Sequence, residues 1–268
     1  MSETLVIQDL YIYPIKSLGG IRLTEARVEE RGFEHDRRWM LIDESGKFMS
    51  QRAFPQMALL RVAIAEDFLL VHHLSRPDEV IQIPFAAEGA EVSSVTVWDD
   101  EMSARLVDEQ IDQWFSDILN QKVRLVKMPI STQRKVDPRY AVNEESVSFA
   151  DGMPYLLIGQ NSLENLNSRL EYPVPMNRFR PNIVFSGGEA FAEDSWKKIQ
   201  VGEVNFQVVK PCARCVMTTV DQKTAIKSSE PLKTLTEFRK VGTKVMFGQN
   251  MVALSSGVIK VGNAIKLV

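Results

Sequence analysis

The stretch VVKPCARCVMTTVD, residues 208–221, carries both cysteines of a 268-residue chain, Cys212 and Cys215, with Arg214 between them. A thiol pair at this spacing can be a redox couple, half of a zinc site, or one reactive sulfur beside an inert neighbour. Thioredoxin-type chemistry wants the first cysteine at the opening of a helix, and VMTTVD is β-branched and reads as a strand. Residues three apart on a regular strand face opposite ways, so the two thiols are expected to diverge, one of them structural. A closed zinc site needs four ligands, and His35, His72 and His73 lie at no finger-like spacing. An iron–sulfur cluster needs four cysteines, or two with two histidines. Two small buried hydrophobes remain the bland alternative. Arg214 tilts the reading, because a fixed guanidinium beside a thiol favours the thiolate, the form that attacks electrophiles or binds a soft metal. Cys215, heading the strand-like run, is the better candidate, while Cys212 after Pro211 packs.

The rest of the composition narrows the class. With 44% apolar residues the chain can bury a sizeable core, and its length suits one large or two modest domains. A formal charge of −3 lacks the basic excess of a phosphate-backbone binder, so nucleic acid is not expected as a partner, although a local basic pocket is compatible with it. The opening MSETLVIQDLYIYPIK has neither a basic n-region nor an apolar h-region, and no apolar run approaches membrane length. The expectation is a soluble, cytoplasmic protein with no membrane partner.

The cysteine stretch must be positioned by a mainly β scaffold. LVIQDLYIYPIK, IRLTEARVEE and RRWMLIDESGKFMS alternate apolar and polar residues, with a turn at Glu44, Ser45 and Gly46, and predict a β-meander. Strand patterns continue to SVTVWDDEMSARLV. Ile111, Trp114, Phe115, Ile118 and Leu119 then recur at helical spacing over residues 108–121. A polar stretch from residue 131 to 152 suits a long loop or junction, and a boundary near residue 125 divides the chain into 1–125 and 126–268. Beyond it, YLLIG predicts a strand, Asn161 or Ser162 a helix cap, and Pro231 the first turn of a last helix that stops before Gly242. The tail returns to β alternation.

Four ordered stretches, YPIKSLGG (13–20), HDRRWMLID (35–43), FRPNIVFSGGEAFAEDSW (179–196) and PCARCVMTTVD (211–221), resemble MOSC-domain proteins with a MOSC N-terminal β-barrel domain, and most nearly the amidoxime-reducing components and their bacterial relatives. The resemblance implies a mixed, mainly β (α+β) fold: an N-terminal β-barrel-like domain over 1–125 and a MOSC β-barrel over 126–268. It implies a molybdenum–pterin cofactor whose metal is held by the cysteine after Arg, here Cys215. Carried over motif by motif, the cofactor contacts are Lys16, Ser17, Arg37, Arg180, Asn182 and Arg214, with Gly152, Met153 and Ala213 through backbone and Asn250 where a tyrosine stands in relatives. An anionic dithiolene and a phosphate suit forked guanidinium donors and a lysine charge, and Asn182 can donate and accept at a pterin edge.

The implied activity is reduction of N-hydroxylated small molecules, with electrons from a separate ferredoxin-like or flavin-linked protein, because two cysteines cannot hold an iron–sulfur cluster of the chain's own. The alternative is a sulfur carrier holding a persulfide on Cys215. Two departures from the pattern stand out, Thr224-Ala225 for Thr-Gly and Asn250 for tyrosine. His35, Asp36 and Asp221 are the acid–base residues of the motifs, none singled out, and Asp194 and Trp196 are expected to shape a turn and fill core.

Overall fold

The computed structural model describes residues 4–268 and is mainly β, with three short α-helices. Its largest sheet has nine strands. Across the sheet run Ile265–Leu267, Lys198–Val201, Val204–Arg214, Lys244–Ala253, Tyr155–Gly159, Ile183–Ser186, Val6–Ile12 and Ile21–Leu23, with Lys240–Val241 pairing on the end of Lys244–Ala253. All neighbours are antiparallel except Tyr155–Gly159 and Ile183–Ser186, whose parallel pairing requires the crossover supplied by the helix Gln160–Asn167. Alternating residues of these strands, among them Leu10, Ile12, Tyr155, Leu157, Ile183, Phe206 and Met251, close one core.

The predicted N-terminal meander is corrected at its first strand. Val6–Ile12 pairs with Ile183–Ser186 and Ile21–Leu23, inside a sheet built mostly from the second half of the chain. Glu25–Glu29 likewise pairs with Gly257–Lys260. Local alternation reports which face of a strand is buried and carries no information about the distant partner.

The rest of the first half forms two smaller antiparallel sheets. Leu60–Ala65, Phe68–His73 and Arg76–Pro84 make a meander, and Trp39–Ile42, Arg124–Lys127, Asp100–Leu106 and Val92–Val97 a four-stranded sheet. Between them, Trp39, Leu41, Leu60, Leu69, Phe115 and Leu125 form a second core. The helix Glu109–Leu119 contributes Ile111, Phe115 and Leu119 to it. Asp108 caps this helix, its carboxylate accepting from the backbone N–H of Gln110 and Ile111, and Asn120 ends it in the left-handed conformation.

The second helix is capped differently from the expectation. Gly159 is its N-cap, and Ser162 lies within the helix, donating to Glu193 at 2.9 Å and accepting from the Phe191 N–H. A buried carboxylate out-competed the helix end for that hydroxyl. The last helix, Leu232–Phe238, follows Pro231 and turns Leu235 inward.

Candidate functional site

A cleft of about 650 Å³ opens between the nine-stranded sheet and the smaller sheets of the first half. All eleven residues expected at the site, Lys16, Ser17, Arg37, Gly152, Met153, Arg180, Asn182, Ala213, Arg214, Cys215 and Asn250, line it. The lining holds eight cations, Lys16, Arg37, Arg52, Arg178, Arg180, Lys210, Arg214 and Lys244, against one carboxylate, Asp151. A chain of net charge −3 has thus concentrated positive charge where field lines converge.

The cysteine stretch departs from its expected form. The strand Val204–Arg214 ends just before Cys215, and Val216–Thr219 is a 3-10 turn. The Thr218 N–H and hydroxyl both bond the Cys215 carbonyl, at 3.1 and 3.0 Å, so β-branched residues here close a turn through their hydroxyls. Pairing with Lys244–Ala253 slips between Pro211 and Ala213, which breaks strict alternation, and both free thiols border the cleft, Cys212 half-buried and Cys215 exposed. The guanidinium beside the sulfurs is also reassigned. Arg214 donates to Cys212 Sγ at 3.0 Å and to the Phe179 carbonyl at 2.6 Å, whereas the group facing Cys215 is Arg52, with Nη1 4.0 Å from Sγ.

Arg52 is held flat by its surroundings, its guanidinium 4.1 Å from the Trp98 ring centre. Trp98 sits in the left-handed region at a hairpin tip and donates from its indole N–H to Asp151 at 3.3 Å. Arg52, Trp98 and Asp151 were missed in the sequence. Their only available signal was proximity to other motifs, and Trp98 and Arg52 stand more than 45 residues apart.

Tyr13 lies between two guanidinium groups, Arg37 at 4.3 Å and Arg180 at 4.1 Å from its ring centre. Arg37 donates to the fully buried Asp36 at 2.6 Å and to the Asn182 side-chain Oδ1 at 3.3 Å. Asn182 in turn donates to Asp36 and to the Tyr11 carbonyl, and accepts from the Leu156 N–H. Its amide is committed on both sides within the protein, so it orients Arg37. Arg180 donates to the Leu18 carbonyl at 2.7 Å, and burial brings its guanidinium down to about 10. Ser17, Arg37 and Arg180 all have positive φ, of 68°, 51° and 54°. Three non-glycine residues in that region around one cleft are a cost the surrounding packing sustains.

Lys16 is buried, donating to the Phe149 carbonyl at 2.7 Å and to Asp151 at 2.6 Å. Burial lowers its ammonium to about 8, against the pull of Asp151. Desolvation among the cleft walls pushes the Asp151 carboxyl up, yet Lys16, Arg52 and the Trp98 N–H outweigh it and hold the group well below the usual carboxylate range. Ser17 accepts through its carbonyl from buried Gln51, which exchanges amide bonds with Gln222 behind the Cys215 turn. Asn250 donates to the Pro211 carbonyl at 3.3 Å.

None of the three acid–base residues of the motifs reaches the cleft lining. Asp36 pairs with Arg37, His35 stacks on Phe85 at 4.3 Å, and Asp221 accepts from Lys223 and Thr224 in a turn. Asp194 binds Arg239 and Gln249, and Trp196 packs on Phe185, the turn and core roles expected.

Residues 4–122 match the model of the MOSC N-terminal beta barrel domain, and residues 144–266 that of the MOSC domain. Mitochondrial amidoxime-reducing component 1 of Mus musculus is 34% identical over all of this chain and 83% of its own length, and that of Homo sapiens 33% over all of the chain and 84%. Molybdenum cofactor sulfurase of Arabidopsis thaliana is 30% identical over 90% of the chain, which spans 32% of that longer protein. No helix among the described residues is long and apolar enough to cross a membrane. Matched over both halves, and with its four motifs converging on one basic cleft, the chain belongs to the MOSC-domain proteins that carry a MOSC N-terminal β-barrel domain.

Proposed function

We propose that the cleft holds a molybdenum–pterin cofactor with the Cys215 thiolate as its protein ligand, and that the protein reduces N-hydroxylated compounds with electrons from a separate redox protein. The observation that carries this reading is an exposed sulfur at the convergence of eight cations and a single carboxylate. Three further features fit the group. Nε of Arg178 and of Arg214 is buried without a partner, each an unspent donor on a cleft residue. A Cβ on Gly152 would meet nothing within 4 Å, leaving backbone open to a ligand. Among the described residues no cluster of three or more His, Cys, Asp or Glu could hold a metal, so a metal on Cys215 takes its other ligands from a cofactor.

Each of the expected site residues has a role in this reading. Arg37 and Arg180, braced on Tyr13, face the anionic parts of the cofactor with fixed forks, and Lys16 adds a point charge. Arg214 and Arg52 set the charge around the two sulfurs. Asn182 positions Arg37, Ser17 is held by Gln51, and Gly152, Met153 and Ala213 offer backbone groups, with Asn250 on the facing strand. The bound group supplies two-electron reduction, in which two electrons and two protons convert an N–OH to an N–H and water. Lys16, at about 8, holds a proton that can leave near neutral pH. Hydroxylamines, amidoximes and N-hydroxylated bases are the substrate classes of this reading, with Trp98, Met217 and Met246 supplying apolar lining to the cleft.

The test is purification from a host that makes the pterin cofactor, followed by metal analysis and assay of benzamidoxime with reduced methyl viologen. Molybdenum near one per chain with benzamidine formation supports the reading, and metal-free, inactive protein overturns it. The likeness to a molybdenum cofactor sulfurase favours one second reading, a persulfide carried on Cys215. Cyanide-labile sulfur on molybdenum-free protein identifies that case.

A further inference from the structure

The stretch from Lys210 to Lys244 carries eight Lys and Arg against three Asp and Glu, in a protein whose net charge is −3. Among the described residues its only ion pairs are Asp221 with Arg178 and Arg239 with Asp194, so Lys223, Lys227, Lys240 and Lys244 are left without a carboxylate. Folding gathers these lysines on both flanks of Cys215. On one flank, Arg214, the residue before Cys215, pairs with Val245, the residue after Lys244. Val245 pairs with Lys240 on its other side and Lys244 with Val241, so this lysine-bearing hairpin lies beside the strand end that leads into Cys215. On the other flank, Val220 bridges Lys227, Lys227 Nζ reaches the Arg52 carbonyl at 2.7 Å, and the intervening turn presents Lys223.

Exposed aliphatic side chains lie among these charges. Val216, next to the sulfur, is 54% exposed, Ile226 66% and Val241 64%. Val216 follows the sulfur directly, and Ile226 and Val241 sit on the two lysine-bearing turns, so the charged surface also offers apolar contact area. Unpaired charge of one sign with interspersed apolar contacts is the pattern of a transient protein interface, in which charge accelerates encounter and the apolar groups give short-range fit.

We propose that this surface is the docking face for an acidic redox protein, a negatively charged one-electron carrier that delivers electrons at the cleft mouth. This rests on the reductase reading. Each turnover then consumes two carriers, each oxidised by one electron, while the substrate gains two electrons and two protons, its N–O bond breaks and water leaves. The aliphatic component and the negative charge of the whole chain favour a protein over a nucleic acid.

The test uses the cofactor-loaded protein and two donors, an acidic plant-type [2Fe–2S] ferredoxin kept reduced by its reductase, and reduced methyl viologen, which needs no docking face. The variant is Lys223→Glu with Lys240→Glu and Val241→Asp, all outside the cleft lining. The expected result is a fall of about tenfold or more in kcat/KM for ferredoxin, with a flattened salt dependence, while viologen-driven benzamidoxime reduction is unchanged. An unchanged ferredoxin rate, or equal loss with both donors, overturns the proposal. So does a wild-type protein that viologen drives and ferredoxin does not, or ferredoxin-driven turnover blocked by an oligonucleotide more strongly than by salt of equal ionic strength. If viologen fails with the wild type, the reductase reading itself falls.

Discussion

The two thiols of the cleft are three positions apart, yet they have different neighbours. Arg214 takes Cys212, and Cys215 faces open space and Arg52. Cys212→Ser is therefore expected to keep most of the activity, whereas Cys215→Ser keeps cofactor through the cationic cleft and loses turnover, read as benzamidoxime reduction per bound molybdenum. Lys16 gives a pH dependence with two opposite signs. Burial lowers its folded value to about 8 from 10.5, so the unfolded chain binds more protons between those values and the cofactor-free protein gains stability as pH rises through that window. Binding of an anion to the cleft prefers the charged ammonium, so cofactor affinity falls as pH rises through about 8. Denaturation and reconstitution measured from pH 7 to 10 check both trends, and Lys16→Met is expected to remove each. Spacing exposed the sulfur, but it misassigned the neighbouring guanidinium, because side-chain direction at a strand irregularity is not written in residue order.

At the scale of elements, the turn after the sulfur explains a departure from the family pattern. Ala225, where the resemblance leads one to expect glycine, has φ 59°, with its N–H bonded to the Asp221 carbonyl. An alanine in that region carries strain, so Ala225→Gly is expected to stabilise the protein by about 0.5–1 kcal/mol in a denaturant melt, with no loss of activity. At the helix Glu109–Leu119, Asp108→Ala removes the cap and is expected to cost about 1 kcal/mol. That helix was legible because Ile111, Phe115 and Leu119 repeat at its period and Asp108 announces its start. VMTTVD was misread because Thr218 and Thr219 bond backward through their hydroxyls to the Cys215 and Val216 carbonyls three residues earlier, and β-propensity does not register that competition. Ser162 failed as a cap for a similar reason, its hydroxyl being taken by Glu193 from 31 residues away.

For the whole molecule, the mainly β class followed from alternation, and the convergence of four motifs on one cleft followed from the resemblance. What the sequence did not disclose is that the first strand completes the last sheet. Val6–Ile12 lies between Ile183–Ser186 and Ile21–Leu23, and among the described residues Gly257–Lys260 pairs only with Glu25–Glu29. A fragment of residues 126–268 would lose these strands and expose Ile183, Phe185 and Ile259 of the shared core. It is expected to lack cooperative unfolding and to aggregate, whereas the full chain melts in one transition, as circular dichroism during heating will show. The same interleaving explains the site, since Lys16, Arg37 and Arg52 come from the first half and Arg180, Arg214 and Cys215 from the second. The most direct measurement is X-ray absorption at the molybdenum edge of the loaded protein, wild type against Cys215→Ala: the account predicts one sulfur neighbour fewer in the variant, and an unchanged sulfur shell would contradict it.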